Sequence, residues 1–364
     1  MILINTEDIK DGMKLAKDLI DGRGNLILGK GHTLYRKHIN TILSLGFTKL
    51  YVLSPDEESP PEEEVETLSA KNKVAALRVI HKATQEAYKK VDLNQIRLQG
   101  GEIVDLIENI IAELLKKDEL ILNMFDLKKH DDYTFFHSTN VTVLSLILGI
   151  RIGLSIDQLK QLGYGALLHD IGKTKVPKEI LNKSGILTEE EMETMKSHTI
   201  WGFEILKSQG FLPYESCLVA LQHHEKLNGT GYPYSLSAKE IHLFSKITAI
   251  VDVYDALTSD RPYRDALLPH LALEYLMGGG DTYFDFNLVR EFMKFVSIYP
   301  IGTMVELNTK EVGIVIKTYP GQSARPVVRV FFDKNKRLLP HPIDRDLTKE
   351  YTTFITRIVE KSPF

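Results

Sequence analysis

The sequence predicts a mainly α protein, in which a helical body lies between a small N-terminal α+β module and a small β-rich C-terminal tail. Between about residues 67 and 299, apolar residues recur at the spacing of one helix face. One such stripe consists of Ile103, Leu106, Ile107, Ile110, Ile111 and Leu114. After Pro300, runs of β-branched residues separated by turn residues replace that spacing, which indicates strands.

Residues 1–53 mix short apolar runs with glycine-rich turns and form the predicted α+β module. A strand is predicted over residues 26–28, a helix from about residue 37 to 45 and a second strand over residues 49–53. Residues 54–66 hold seven acidic residues and three prolines with almost nothing to bury. They are therefore predicted to form a solvated linker.

The long central part of the chain is predicted to be helical throughout. Residues 67–130 form a predicted connecting region, and residues 131–299 form the predicted main domain. Thr188 and Glu191 have the spacing of a capping box, which predicts a helix that begins there and runs to about Ser208.

The last 65 or so residues, 300–364, form the predicted β-rich tail. Strands are predicted over residues 313–316 and 327–332, because both runs are rich in valine and isoleucine or phenylalanine. A proline-glycine pair between them is typical of a turn.

The composition excludes several classes of protein. Lys and Arg total 45 against 49 Asp and Glu, a formal net charge of −4, so bulk nucleic acid is not an expected partner. The single cysteine, Cys217, excludes an intrachain disulfide framework and a multi-cysteine zinc site. The most apolar run, residues 141–150, is about half of the roughly 20 residues that a membrane helix needs, and no secretory signal is visible. A cytoplasmic protein without a membrane span is expected.

Five of the twelve histidines lie between residues 137 and 224 and are the main candidates for chemistry. His137 and His198 each lie on an apolar helix face, where a histidine on its own is more often part of the core than a ligand. His223 and His224 are adjacent and precede a glycine-rich loop, and packing gives no reason for two neighbouring imidazoles there.

Carboxylates accompany these histidines. His169 and Asp170 lie at the end of a helix that Gly172 is predicted to stop. Asp252 and Asp255 lie three residues apart on a largely apolar helix, where a carboxylate is costly unless it is paired, protonated or bound to a metal. A salt bridge to a nearby arginine is the alternative explanation. Imidazole and carboxylate donors without thiolates suit iron, manganese, nickel or zinc.

Positive side chains flank this set in the sequence. Lys173 follows the His-Asp pair, and Arg261 and Arg264 follow the helix that carries Asp252. Each of these cations alone is more often a solvated surface charge. Metals together with lysine and arginine in one pocket indicate a site for an anionic ester, most readily a phosphate.

Residues from about 131 to 275 resemble the HD-GYP domain, a subset of the HD phosphohydrolase superfamily. The matching segments, in the family's order, are residues 132–138, 168–173, His198, 223–233 and 252–264. The resemblance implies an all-helical HD-type domain that is a metal-dependent cyclic dinucleotide phosphodiesterase. It would hydrolyse the phosphodiester bonds of cyclic di-GMP, a bacterial second messenger, to pGpG, GMP or both, by attack of a metal-bridging hydroxide.

The resemblance also implies a role for particular residues, carried over position by position. It implies two divalent metals, with iron as the first choice, manganese as the second, and nickel or zinc as further candidates. The metal ligands would be a first set of His137, His169 and Asp252, a second set of His198, His223 and His224, and Asp170 between the two. The catalytic residues would be His169, Asp170 and Lys173. The substrate would contact Lys173, Tyr232, Arg261 and Arg264, and Asp255 would support a metal ligand without touching the metal.

Some family members carry a glutamate four residues before the first histidine and bind a third metal there. This chain has Tyr133 at that position, so two metals are expected unless Asp131 or Asp132 reaches the site. Two other hypotheses stay open: a phosphodiesterase for another cyclic dinucleotide, and a cyclic di-GMP receptor with little turnover. Residues 1–53 resemble a small module found before HD-GYP domains. Its input signal is not readable from the sequence, and a homodimer or a signalling-protein partner also stays open.

Overall fold

The structure of the protein, a computed structural model, describes most of the chain. The described residues are 1–21, 23–45, 47–54, 57, 67–117, 133–183, 185–259, 266–319 and 321–359. Apart from Ser54 and Glu57, the predicted acidic linker lies outside them.

The predicted helical body is confirmed, and its helices enclose the largest apolar core of the described residues. In chain order the helices are α1 (Ile39–Ser44), α2 (Ala70–Lys89), α3 (Gly100–Leu114), α4 (Tyr133–Arg151), α5 (Ile156–Leu168), α6 (Lys178–Leu181), α7 (Glu189–Lys196), α8 (His198–Lys207), α9 (Tyr214–Gln222), α10 (Leu243–Leu257), α11 (Pro269–Gly278) and α12 (Phe286–Met293). None of the described helices is both long enough and apolar enough to cross a membrane.

The predicted α+β module and β-rich tail are confirmed as well. The strands are β1 (Ile2–Asn5), β2 (Leu19–Ile20), β3 (Leu26–Leu28), β4 (Lys49–Val52), β5 (Met304–Leu307), β6 (Val312–Lys317), β7 (Val327–Phe332), β8 (Leu338–Asp346) and β9 (Ile355–Ile358). In the module, β1 pairs with β4 and β2 pairs with β3, both antiparallel. In the tail, the antiparallel order is β8-β7-β6-β5-β9.

The two ends of the chain share one apolar core. Ile4 and Leu50 of the module lie in the same buried cluster as Met304 and Ile314 of the tail. The backbone continues this contact, because the amide of Leu3 donates a hydrogen bond to the carbonyl of Gly302 at 3.2 Å. The module and the tail therefore stabilise each other, and the domain boundaries at residues 53 and 300 stay predictions of the sequence.

The central helices bring the candidate residues together. Helix α4 packs against α5 and α10, α5 packs against α9, and α8 packs against α9. The contact faces are aliphatic and fully buried, as at Leu144, Ile147, Leu162, Val219 and Ile250. Burial of such side chains stabilises the fold by roughly 1.5–3 kcal/mol each, so this packing gives the polar centre described below a rigid frame.

The predicted long helix that opens at Thr188 is two helices. The capping box is present, since the Thr188 side chain accepts the Glu191 amide and the Glu191 side chain accepts the Thr188 amide. The helix ends at Lys196, however, and α8 begins at His198. The break at Ser197 turns the chain so that His198 lies at the start of a new helix.

The predicted role of Gly172 as a helix terminator is wrong. Helix α5 ends at Leu168, and a 3-10 helix over Ile171–Lys175 follows. Gly172 is instead a point of close backbone contact with α8. An added Cβ would lie 1.9 Å from the carbonyl oxygen of His198 and 2.5 Å from the amide nitrogen of Gly202. Only a residue without a side chain fits there.

Candidate metal centre

Seven predicted metal ligands from five helices or their ends lie together in the core. Their donor atoms form two groups, within each of which all donors lie within 4.8 Å of one another. One group is His137, His169 and Asp252, and the other is Asp170, His198, His223 and His224. Six of the seven are buried, which is unusual for charged and imidazole groups without a common purpose.

Asp170 lies between the two groups, with one carboxylate oxygen toward each. Its Oδ1 is 3.5 Å from Nε2 of His198 and 3.7 Å from Nε2 of His223. Its Oδ2 is 3.4 Å from Nε2 of His169 and 3.7 Å from Nε2 of His137. The carboxylate is therefore placed to serve both groups at once.

The histidine tautomers are set by hydrogen bonds on the far side of each ring. Nδ1 of His169 donates to the carbonyl of Ala166 at 2.8 Å, and Nδ1 of His198 donates to the carbonyl of Met195 at 2.7 Å. Nδ1 of His223 donates in the same way to its own helix. A carbonyl only accepts, so these rings carry a proton on Nδ1 and turn Nε2 toward the centre. This orientation is the one that metal-binding histidines adopt.

His137 is held by a carboxylate instead of a carbonyl. Its Nδ1 donates to Oδ2 of Asp255 at 2.7 Å, and Oδ1 of Asp255 accepts the amide of Asn140 at 2.9 Å. On the other side of the ring, Nε2 lies 3.0 Å from Oδ1 of Asp252. Burial acts to lower the pKa of His137, but hydrogen bonds and negative charge from the two aspartates outweigh it and raise the pKa to about 9. A metal bound to Nε2 would replace that proton.

The charges of the other members are compatible with metal binding. Burial lowers the pKa of His198 to about 3 and holds the pKa of His224 well below its usual value, so both imidazoles are neutral. Burial acts to raise the pKa of Asp170, but the ammonium of Lys173 and the neighbouring imidazoles hold it well below its usual range. Neutral imidazoles and ionised carboxylates are the forms that bind divalent metals.

Two buried atoms of the centre have no hydrogen-bond partner among the described residues, Nε2 of His169 and Oδ1 of Asp170. A buried polar atom without a partner costs roughly 1–3 kcal/mol, so such atoms are uncommon unless something else binds them. Both atoms belong to proposed metal ligands, and each lies near the ligand atoms of other members of the two groups. The donor set therefore fits divalent metal ions, and the absence of thiolates matches iron, manganese, nickel or zinc.

Of the four predicted substrate-contact residues, two lie beside the centre and two lie outside the described residues. Nζ of Lys173 lies 2.6 Å from Oδ2 of Asp170, at the rim of the centre. The ring of Tyr232 stacks on His224, with centroids 4.7 Å apart and planes at 29°. Arg261 and Arg264 lie outside the described residues, as do Asp131 and Asp132.

Sequence reasoning missed two residues that support the centre. Asn140 is 3% exposed, and its side-chain amide donates to Asp255 and so orients that carboxylate. Asn140 lies three residues after His137 on the same helix face, and this spacing could have indicated that it belongs to the centre. Glu225, also 3% exposed, accepts the backbone amides of Tyr234 and Leu236 at 2.8 and 3.0 Å and so anchors the glycine-rich loop. That contact spans about ten residues of irregular chain, which no periodicity predicts.

We expect Asp255→Asn to weaken metal binding about 10–100-fold, because loss of the charge behind His137 makes that ring a poorer ligand. The asparagine keeps the shape of the side chain, so circular dichroism should be unchanged. Competition with a chromophoric chelator measures the affinity. Asp157→Asn, an exposed carboxylate on α5, is the control. Equal affinities of the two variants would show that Asp255 does not position His137.

Comparison with known protein families adds two matches. A model described as HD domain matches residues 120–288, and a model described as KOW domain associated with HD domain matches residues 304–363. The first covers α4 to α10 and thus every residue of the candidate metal centre.

Several curated relatives are also similar to this chain. A cyclic di-GMP phosphodiesterase of Pseudomonas aeruginosa is 36% identical over 234 residues, which are 64% of this chain and 56% of the relative. The cyclic di-GMP phosphodiesterase response regulator of Xanthomonas campestris pv. campestris is 42% identical over 136 residues, 37% of this chain and 36% of the relative. The 3'3'-cGAMP-specific phosphodiesterase 1 of Vibrio cholerae is 37% identical over 160 residues, 43% of this chain and 36% of the relative.

The chain thus spans from about a third to somewhat over half of the length of these curated relatives. The residues that the HD-domain model matches include the helices that carry the two histidine groups. On these matches, residues 120–288 form an HD domain, and the curated relatives support its assignment to the HD-GYP family.

Proposed function

We propose that the chain is a metal-dependent phosphodiesterase that hydrolyses cyclic di-GMP to pGpG, GMP or both. The observation that carries this proposal is the pair of donor groups that share the two oxygens of Asp170. Two-metal sites of this kind are typical of enzymes that cleave phosphate esters. The cyclic di-GMP phosphodiesterases among the relatives support the choice of substrate.

We propose two divalent ions, iron first and manganese second, with nickel or zinc as further candidates. One ion would be held by His137, His169 and Asp252. The other ion would be held by His198, His223 and His224, and Asp170 would bind both ions. When bound, such ions supply Lewis acidity toward a phosphoryl oxygen and toward water. The buried, neutral imidazoles keep bulk water away from the ligand atoms, which strengthens every electrostatic interaction in the centre.

The other side chains of the centre position the phosphodiester. The ammonium of Lys173, held next to Asp170, is placed to contact a phosphoryl oxygen and to stabilise its growing negative charge. The Tyr232 ring, stacked on His224, forms a wall beside the metal ligands against which a nucleotide can pack. Arg261 and Arg264, from the segment after α10, are proposed as further phosphate contacts. A cytoplasmic location and a homodimeric or signalling partner stay predictions.

A different cyclic dinucleotide is the second candidate substrate. The 3'3'-cGAMP-specific relative of Vibrio cholerae is 37% identical over 160 residues, and the cyclic di-GMP enzyme of Pseudomonas aeruginosa is 36% identical over 234 residues. A receptor with little turnover is less well supported, because all seven proposed metal ligands are present and lie together.

The test is hydrolysis by protein loaded anaerobically with ferrous iron or with manganese. Cyclic di-GMP and 3'3'-cGAMP are supplied separately, and chromatography resolves the linear and mononucleotide products. The control is the His169→Ala, Asp170→Ala double variant. Cleavage of cyclic di-GMP only by the unaltered protein is the expected result. Faster cleavage of 3'3'-cGAMP would mean that this dinucleotide is the substrate. Metal-loaded protein that binds cyclic di-GMP without cleaving it would be a receptor.

A further inference from the structure

The five-residue 3-10 helix over Ile171–Lys175 directly follows the proposed shared ligand Asp170, and it carries Lys173. Its first turn closes on that ligand, because the amide of Lys173 donates to the carbonyl of Asp170 at 2.9 Å. The hydrogen bonds of a 3-10 helix have poorer geometry than those of an α-helix, so runs longer than about four residues are uncommon. A 3-10 helix of this length therefore depends on neighbouring elements to keep one position.

Two helices pack against this 3-10 helix. Helix α8 contacts it at Gly172, where the backbone of His198 leaves no room for a side chain. Helix α2 contacts it at its last residue, because the ammonium of Lys175 donates hydrogen bonds to the backbone carbonyls of Ala87 and Lys90. The first contact is steric, and the second is made by the polar end of one side chain.

The two carbonyls lie at the carboxyl end of α2, whose last helical residue is Lys89. Carbonyls in the last turn of a helix have no partner within that helix, and the helix dipole places partial negative charge there. One ammonium satisfies both carbonyls and also balances that charge. Burial lowers the pKa of Lys175, so its ammonium is partly shielded from water, where a charge-assisted hydrogen bond is stronger. Lys175 is therefore a strong link between α2 and the 3-10 helix.

We infer that Lys175 is a positioning residue of the metal centre, which fixes the 3-10 helix to α2 and so holds Asp170 and Lys173 in place. Among the described residues, its side chain forms hydrogen bonds to the end of α2 and not to a proposed metal ligand. It therefore acts through the two residues that it positions. Helix α2 precedes the residues that match the HD domain, so the centre depends on a helix outside that match. The effect on hydrolysis rests on the proposed function, whereas the effect on metal affinity requires only the donor groups.

The metal affinity of the full chain tests this inference without a substrate. Competition with a chromophoric chelator for Mn²⁺ measures it. Lys175→Met keeps an unbranched side chain and removes its hydrogen bonds, so it should weaken binding about ten-fold, because Asp170 is no longer held between the two donor groups. Lys175→Arg keeps the charge and the donors and should return the affinity to within about three-fold of the unaltered protein.

The matched control is Lys178→Met, at an exposed lysine three residues further along the chain. The ammonium of Lys178 lies 5.8 Å from the centre of the Tyr88 ring, so it contacts the same end of α2, but it belongs to α6 and not to the 3-10 helix. This variant should keep the metal affinity within about two-fold. Equal affinities of Lys175→Met and Lys178→Met would overturn the inference. Thermal melts add a second criterion, since a lower melting temperature of Lys175→Met with unchanged metal affinity would make the contact purely structural and would overturn the inference as well.

Steady-state hydrolysis of cyclic di-GMP by fully metal-loaded protein tests the positioning of Lys173. Lys175→Met should lower kcat about ten-fold and leave KM within about two-fold, because Lys173 is proposed to stabilise charge that grows during the reaction. An unchanged kcat at full metal loading would overturn the positioning of Lys173. The two proposals fail separately. If the unaltered protein does not cleave cyclic di-GMP while Lys175→Met still binds metal more weakly, the proposed function is overturned and the positioning of Asp170 stands.

Discussion

Asp170→Asn is expected to lower hydrolysis of cyclic di-GMP by about a thousand-fold or more, because this carboxylate serves both donor groups. Its two oxygens lie between 3.4 and 3.7 Å from four imidazole nitrogens. An asparagine offers one oxygen and one amide nitrogen, and that nitrogen has no free lone pair with which to bind a metal ion. The substitution also removes a negative charge from a buried site that holds several neutral imidazoles.

The metal content of the purified variant is the direct measurement. We expect it to fall from about two ions per chain to fewer than one, measured by inductively coupled plasma mass spectrometry, with activity measured on the same sample. Asp157→Asn, at the exposed start of α5, provides the same chemical change on the helix that precedes Asp170 and should keep both metal and activity. Full metal content in Asp170→Asn together with normal hydrolysis would mean that Asp170 is not shared between two ions.

The sequence predicted the members of this centre better than their connections. The resemblance to the HD-GYP domain implied all seven proposed ligands position by position, and the structure brings their donor atoms together. The pairing of His137 with Asp255, in contrast, joins residues 118 positions apart and depends on how α4 packs on α10. Periodicity describes one helix at a time, so it does not predict which faces of two helices meet.

The same limit applies to the fold. The helical body and both β-containing ends follow from local patterns and are confirmed. The core that Leu50 shares with Met304 joins the two ends of the chain, and neither end carries a local signal for the other.

Gly172→Ala is the substitution for which we expect the largest loss of stability. The new Cβ would lie 1.9 Å from the carbonyl oxygen of His198 and 2.5 Å from the amide nitrogen of Gly202. Both atoms are backbone, so no rotamer change relieves the overlap, and α8 must move as a unit. Overpacking of this kind costs about 1–3 kcal/mol or more, which corresponds to a melting temperature lower by about 2–10 °C for a domain of this size.

The movement of α8 would also displace His198, so Gly172→Ala should lose metal from the group that His198 shares with His223 and His224. Gly101→Ala is the matched control, because Gly101 lies in α3 with nothing within 4 Å of the added methyl group. Alanine in that helix should be neutral or stabilise by up to about 1 kcal/mol. Thermal melts and metal analysis of both variants measure the expected losses of stability and of bound metal. A Gly172→Ala protein that melts and binds metal like Gly101→Ala would show that the contact between the 3-10 helix and α8 is looser than its geometry indicates.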